Sequence, residues 1–368
     1  MSIKCGEITK FFEELAPTNL AEDWDNVGLL LGSKLQDINR ILVCLDVTNQ
    51  VADEAVEKKA DLIVSHHPLI FKGIKRLNED DLKGKILYKL IRNNIGVYSA
   101  HTNLDVAVGG VNDVLAKKLQ LSDVNNLNRY REEKMYKFVV FVPEENGEDV
   151  RNAMCRAGAG HIGNYSDCSY MTGGTGSLKP LEGSNPYIGQ SGRVEKVKEL
   201  RIESIVPKRY LKSVISAVID AHPYEEVAYD VYELELPTKE YGLGRVGVLK
   251  ESMDMESFIS HVKSSLGLDR LRIIGKGEKR ISKVAVFGGS FDGDLSGVLR
   301  EGADVLITGD IKYHMAQDIS EMGLCVIEAG HFSTEHVIVS ELVGLIKERF
   351  SGIDVIGSEV ENDPIIIS

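Results

Sequence analysis

Apolar runs of about five residues, separated by about ten or more residues of helical character, constrain this chain more than any other feature. Within residues 1 to 127 they occur as ILVCLDV, LIVSHH and GVYSAH, with the helical stretches VADEAVEKKA and LKGKILYKLIRNN between them. Strands so short, joined by segments so long, need crossover connections, so the pattern predicts βαβ units in a mostly parallel sheet. Residues 241 to 368 repeat it with KVAVFGG, DVLITGD and LCVIEAGH, followed by the helix-like TEHVIVSELVGLIKERF.

The two segments read as versions of one unit. RILVCLD (40–46) pairs in kind with KVAVFGG (283–289), KADLIVSHH (59–67) with GADVLITGD (302–310), and NIGVYSAHTNLD (94–105) with GLCVIEAGHFSTE (323–335). Two related α/β halves are therefore expected, with ligands at the carboxyl ends of matching strands. Residues 128 to 240 change character. MYKFVVFVP, EDVRNAMCRAGAG, a glycine-rich hairpin region TGGTGSLKPLEGSNPYIGQSG, VKELRIESIVP, YLKSVISAVIDA and VAYDVYELEL give the β-α-β-β-α-β order of an inserted ferredoxin-like α+β domain. The expected organisation is thus 1–127, 128–240 and 241–368.

Composition narrows the function classes. A formal charge of −13 repels nucleic acid and anionic lipid, so neither is an expected partner. No run of about 18 apolar residues occurs and the first residues lack a signal-peptide core, so a cytoplasmic protein with no membrane association is expected. Five scattered cysteines without a CxxC pair argue against a disulfide framework and a zinc knuckle.

The chemistry concentrates where strands end. VSHHP places His66 and His67 at one strand end, where Pro68 restricts the backbone; GVYSAHTNLD places His101 and Asp105 past a second; AGHFSTEH places His331, Glu335 and His336 past a third. Imidazole nitrogens mixed with carboxylates suit zinc, iron, manganese or cobalt, and a carboxylate can bridge two ions. His66, His67, Asp105, His331 and Glu335 are too few for two closed coordination shells but enough for two open ones. His331 and Glu335 would share a face if helical, although Ser333 or Thr334 could instead cap a helix starting after His331. Asp46, His101, Asp310 and His314 are candidates for supporting or proton-handling roles. The amides of GGSFDGDL (288–295) are a candidate phosphate cradle.

WDNVGLLLG (24–32), VSHHP (64–68), SAHTNLD (99–105), ITGDIKYH (307–314) and GHFSTE (330–335) together resemble the Ngg-one-interacting-factor-three-like family, also called the GTP cyclohydrolase type 2 homologs, over essentially the whole chain. The resemblance implies two related α/β halves around a dinuclear metal centre in a toroidal homohexamer. By motif it implies His66, His67, Asp105, His331 and Glu335 as ligands, with Glu335 the bridge. AHPYEEVAYDVYEL (221–234) is similar to the HPYE motif of the CutA proteins, which are related in fold to PII proteins. That implies trimeric contacts through the insert, with His222, Tyr224 and Glu225 in such a contact or in a second site.

The expected activity is metal-dependent hydrolysis of a small phosphorylated or nucleotide-like substrate, using two divalent ions per chain and His101 or His314 to move protons. GTP ring opening follows from the family label alone, since no cysteine lies beside the histidines. The alternative from a different class is a non-catalytic metal-binding or regulatory scaffold with a ligand-sensing CutA-like cap.

Overall fold

The computed structural model describes residues 2–236, 240–277, 280–291 and 293–366. It divides into two compact units, one built from Met1–Arg131 with Tyr241–Ser368 and the other from Glu132–Glu240.

The first unit contains a five-stranded and a six-stranded sheet. In the five-stranded sheet, Asp354–Gly357, Arg40–Cys44, Leu62–Ser65 and Gly96–Ser99 run parallel in that spatial order, and Gly28–Leu31 closes one edge antiparallel. Successive residues of Arg40–Cys44 enter opposite cores. Ile41 and Val43 pack with Ile8, Phe12 and Leu342, whereas Leu42 and Cys44 pack with Val51, Ala55 and Leu90. Burial on both faces is why these strands read as unbroken apolar runs. The crossover helices begin at side-chain caps: the Thr48 hydroxyl accepts from Val51 N at 3.2 Å, and the Asp81 carboxylate accepts from Gly84 N at 2.6 Å.

In the six-stranded sheet, Ile281–Ser290, Val305–Asp310 and Val326–Glu328 are parallel neighbours. Arg272–Ile274 and Glu240–Met253 flank them antiparallel, and Ser122–Glu132 lies beside the latter. The sheet is therefore mixed, where the spacing predicts mostly parallel pairing. Sheet membership also crosses the expected boundaries. Ser122–Glu132 runs through position 127 into the second segment's sheet, while Asp354–Gly357 returns to pair with Arg40–Cys44. Arg245, 3% exposed, ties these parts together. Its guanidinium donates to both oxygens of Asp113, at 2.6 and 2.9 Å, and to the carbonyls of Gly242, Gly244 and Ala107.

The second unit has the strand Met135–Pro143, helix Gly147–Arg156, strands Tyr170–Leu178 and Glu195–Pro207, helix Lys208–Ala221 and strand Tyr229–Leu234. All strand pairs are antiparallel, with Met135–Pro143 and Glu195–Pro207 central. Phe138, Val140, Val142, Ile202 and Val206 point to the face covered by both helices, against Val150, Met154, Val214 and Val218. No helix of the described residues is long and apolar enough to cross a membrane.

Candidate metal centre

The sheets of the first unit deliver their polar residues at the carboxyl ends of parallel strands. Asp46 follows Arg40–Cys44, His66 and His67 follow Leu62–Ser65, and His101 follows Gly96–Ser99 just before the short helix Thr102–Val106, which carries Asp105. Asp310 ends Val305–Asp310. His331 opens and Glu335 closes the helix His331–Glu335 that follows Val326–Glu328. The helical alternative therefore holds, and Thr334 sits inside the helix, where its hydroxyl also accepts from Gly289 N at 3.1 Å.

Four imidazoles are each held by Nδ1 on an oxygen. His66 Nδ1 donates to the Ala100 carbonyl at 2.8 Å, His67 Nδ1 to Asp46 at 2.9 Å, His101 Nδ1 to Asp25 at 2.9 Å and His331 Nδ1 to Asp310 at 2.6 Å. Holding Nδ1 this way fixes the ring and reserves Nε2 for another partner, as in metal-ligating histidines. The Nε2 atoms of His67 and His331 meet Glu335 Oε2 at 2.9 and 3.0 Å, while His66 Nε2 is 3.9 Å from Glu335 Oε1 and 3.6 Å from Asp105 Oδ1.

Three groups offer ligand atoms that all lie within 4.8 Å of one another: His66 with Asp105 and Glu335, His67 with His331 and Glu335, and His66 with His67 and His101. The first two share only Glu335. The electrostatics show what a cation would relieve. His66 Nε2 and Asp105 Oδ1 are buried without a hydrogen-bond partner, a cost a metal-free interior would have no reason to carry. Burial, then the Glu335 charge, pushes Asp105 up to about 7. Burial opposes a charged His67, yet its bonds to Asp46 and Glu335 raise it to about 10. The bond to Glu335 raises His331 to about 9 against burial, with Asp310 adding to it. Burial would raise Glu335, but hydrogen bonding to the surrounding histidines holds it well below the usual carboxylate range. A carboxylate crowded by imidazoles, beside an unsatisfied nitrogen and an unsatisfied oxygen, fits divalent metal. The chain thus carries clustered His, Asp and Glu residues suited to a dinuclear metal site.

Some contributors were not visible in the sequence. Asp25 accepts from His101 Nδ1 and from the backbone and hydroxyl of Thr102, which bring it down to about 2 despite burial. WDNVG was legible as a motif, but nothing local links Asp25 to a residue 76 positions away. Glu361 accepts from the amides of Leu45 and Asp46 at 2.8 to 3.0 Å and so holds the loop that carries Asp46. Gly289, at φ +68°, leaves room for the centre, since a Cβ there would lie 2.0 Å from Glu335 Oε1.

Other candidates fall elsewhere. His314 is exposed, with Nδ1 on Gln317 at 3.2 Å, and belongs to none of the three groups. Three amides of the candidate phosphate cradle at 288–295 are already taken. Gly288 N donates to Asn112, Gly289 N to Thr334 and Phe291 N to the Asp310 carbonyl, so these amides are spent; Asp292 lies outside the described residues. In the second unit, His222 Nε2 donates to the Phe141 carbonyl and its Nδ1 accepts from Tyr224 N, which leaves no nitrogen for a metal. Tyr224 donates to Glu199, and Glu225 accepts from Asn185 N.

Residues 3–364 match the family model described as Duf34/NIF3 (NGG1p interacting factor 3). The chain belongs to that family. Among NIF3 relatives, it is 41% identical to a Bacillus subtilis protein over 99% of this chain and 98% of that one, and 43% identical to a Halalkalibacterium halodurans protein over 99% of each; both bear the name GTP cyclohydrolase 1 type 2 homolog. The crystal structure of a Bacillus cereus protein related to NIF3 superposes with a TM-score of 0.81 at 41% identity, covering 100% of this chain and 99% of that one.

Proposed function

We propose that this protein is a dinuclear metal-dependent hydrolase acting on a small phosphorylated or nucleotide-like substrate. The observation that carries the reading is the pair of ligand groups sharing only Glu335, whose two oxygens face different histidines. His66 and Asp105 would hold one ion, His67 and His331 the other, and Glu335 would bridge. His101, expected to handle protons, offers a nitrogen within 4.8 Å of donor atoms of His66 and His67, and is assigned here as a further ligand. Zinc, iron, manganese or cobalt suits this mixed donor set.

Two such ions supply Lewis acidity toward substrate oxygens and lower the pKa of coordinated water. The chain's own residues hold the geometry. Asp46, Asp25 and Asp310 fix three imidazole orientations, the Ala100 carbonyl fixes the fourth, and Glu361 fixes the backbone beneath Asp46.

The broader arrangement belongs to the same proposal. Two triplets of parallel strands bring residues to the site from their carboxyl ends, which supports related α/β halves. The β-α-β-β-α-β order of 132–240 supports a ferredoxin-like, CutA/PII-like insert. A cytoplasmic homohexamer with trimeric contacts through that insert rests on the resemblance.

The test combines element analysis with turnover. Wild type should carry up to two divalent ions per chain and hydrolyse a phosphoester or nucleotide in a chelator-sensitive manner. Glu335→Ala should lose both ions, while His331→Ala should keep more metal. Full metal content in both variants would overturn the centre. Bound metal without turnover across substrate classes would replace the hydrolase with a metal-binding scaffold.

A further inference from the structure

The motif Trp24-Asp25-Asn26 places three successive side chains around one edge of the centre. Asp25 holds His101. Asn26 Nδ2 donates to the Ile70 carbonyl and so pins the loop that follows His67. Trp24, 58% exposed, packs its ring 5.5 Å from Phe71 and 6.1 Å from His101, and Phe71 lies 6.3 Å from His101. Two partly exposed aromatic faces thus stand directly against a proposed ligand.

Beyond Phe71 the same loop lines a cavity of about 390 Å³, together with Lys72, Lys75, Arg76 and Lys83. None of these four cations has a hydrogen-bond or ion-pair partner among the described residues. Of the three acids in the loop, Glu79 pairs with Arg92 at 2.9 Å and Asp81, which also lines the cavity, caps the following helix through Gly84 N, while Asp80 lies between them. In a chain of net charge −13, four cations without a direct ion pair gather around a partly apolar hollow and outnumber the acids Glu79, Asp80 and Asp81 of the same loop. Aromatic faces bind the face of a planar ring, and lysine and arginine bind phosphate oxygens.

We infer that Trp24, Phe71 and the Lys72–Lys83 loop form a recognition site for an aromatic base joined to a phosphate, a nucleoside monophosphate or a close relative, presented to the metal centre. The inference rests on the hydrolase reading for its purpose and not for its binding. The ring would lie against Trp24 and Phe71, and the phosphate would meet the cations. Specificity for base and charge would then come from the loop, while the centre supplies reactivity.

Trp24 is the chain's single tryptophan, so its fluorescence reports this site directly. The full-length protein, metal-loaded and chelated, is titrated with adenosine 5′-monophosphate, adenosine and inorganic phosphate. The monophosphate should quench saturably in both preparations, adenosine should quench about tenfold more weakly, and phosphate should compete without quenching. The double variant Lys75→Ala/Arg76→Ala should weaken monophosphate binding by about tenfold and leave adenosine unchanged, whereas Phe71→Ala should weaken both. Absence of saturable quenching by the monophosphate, or quenching indifferent to the charge variant, overturns the inference. If binding behaves as expected but no phosphoester turns over, the recognition site stands and the hydrolase falls. If turnover occurs with a KM untouched by the loop substitutions, the hydrolase stands and this inference falls.

Discussion

Without metal, the centre should make the protein progressively less stable as pH rises from about 6.5 to 9. His67 has an ordinary value of 6.5 and is raised to about 10 in the fold, against burial, by Asp46 and Glu335. A base with a raised folded pKa contributes stability fully present below about 6.5 and lost as pH climbs through about 10. That whole interval, at ~1.36 kcal/mol per pH unit, corresponds to ~5 kcal/mol, of which ~3 kcal/mol disappears by pH 9. His67 is 21% exposed, so modest screening reduces this. His331, raised to about 9, adds the same sign but is 35% exposed and contributes less. Asp105 also acts in this direction: an acid raised from 3.8 to about 7 destabilises increasingly as pH rises toward 7. Glu335 is the other end of the same bonds and adds nothing separate. For a unit of this size each kcal/mol moves Tm by roughly 2–4 °C, so metal-free Tm should fall by about 6–12 °C across the interval. Calorimetry on chelated protein measures it, with His67→Ala as the control that removes most of the slope. Saturating metal should reverse the slope, because ligation requires neutral imidazole and competes with fewer protons at higher pH. A metal-free Tm that is level or rising from pH 6.5 to 9, or identical slopes in wild type and His67→Ala, would show that the His67 imidazole bonded to Asp46 and Glu335 does not set the pH dependence.

Three substitutions probe the framework. Gly289→Ala should abolish metal retention in a folded protein, because its Cβ would lie 2.0 Å from Glu335 Oε1 and displace that carboxylate; element analysis beside circular dichroism decides it. Asp25→Asn should weaken metal affinity by roughly 10–100-fold by replacing the carboxylate that accepts from His101 Nδ1 with a weaker, uncharged acceptor, measured by competition with a chromophoric chelator. Asp113→Asn should cost ~3–5 kcal/mol in denaturant unfolding, since it leaves the Arg245 guanidinium buried without its carboxylate, and a loss below ~1 kcal/mol would show that solvent reaches the pair.

The local sequence determined where chemistry could sit. Runs such as LIVS and VLITGD are buried on both faces and announce themselves by unbroken hydrophobicity, and a parallel strand presents its carboxyl end to a loop, so the positions of His66, His67 and Asp310 at strand ends are legible in the sequence. The spacing of His331 and Glu335 is a helical repeat, but Ser333 and Thr334 offered an equally good cap for a later start, and the fold selects the helix His331–Glu335. Tertiary structure decided everything that depends on residues far apart in the chain. Asp25 with His101, Glu361 with Asp46, and His67 with Glu335 are joined across 76, 315 and 268 positions, and no periodicity encodes such pairings. The chain's return of Asp354–Gly357 to the first sheet has the same origin, because an apolar strand specifies that it must be covered and paired but not by which partner. His314 shows the converse: a histidine beside a strand end looks equivalent to its neighbours in sequence, and only the turn of the helix Tyr313–Glu321 leaves it exposed while His331 faces Glu335.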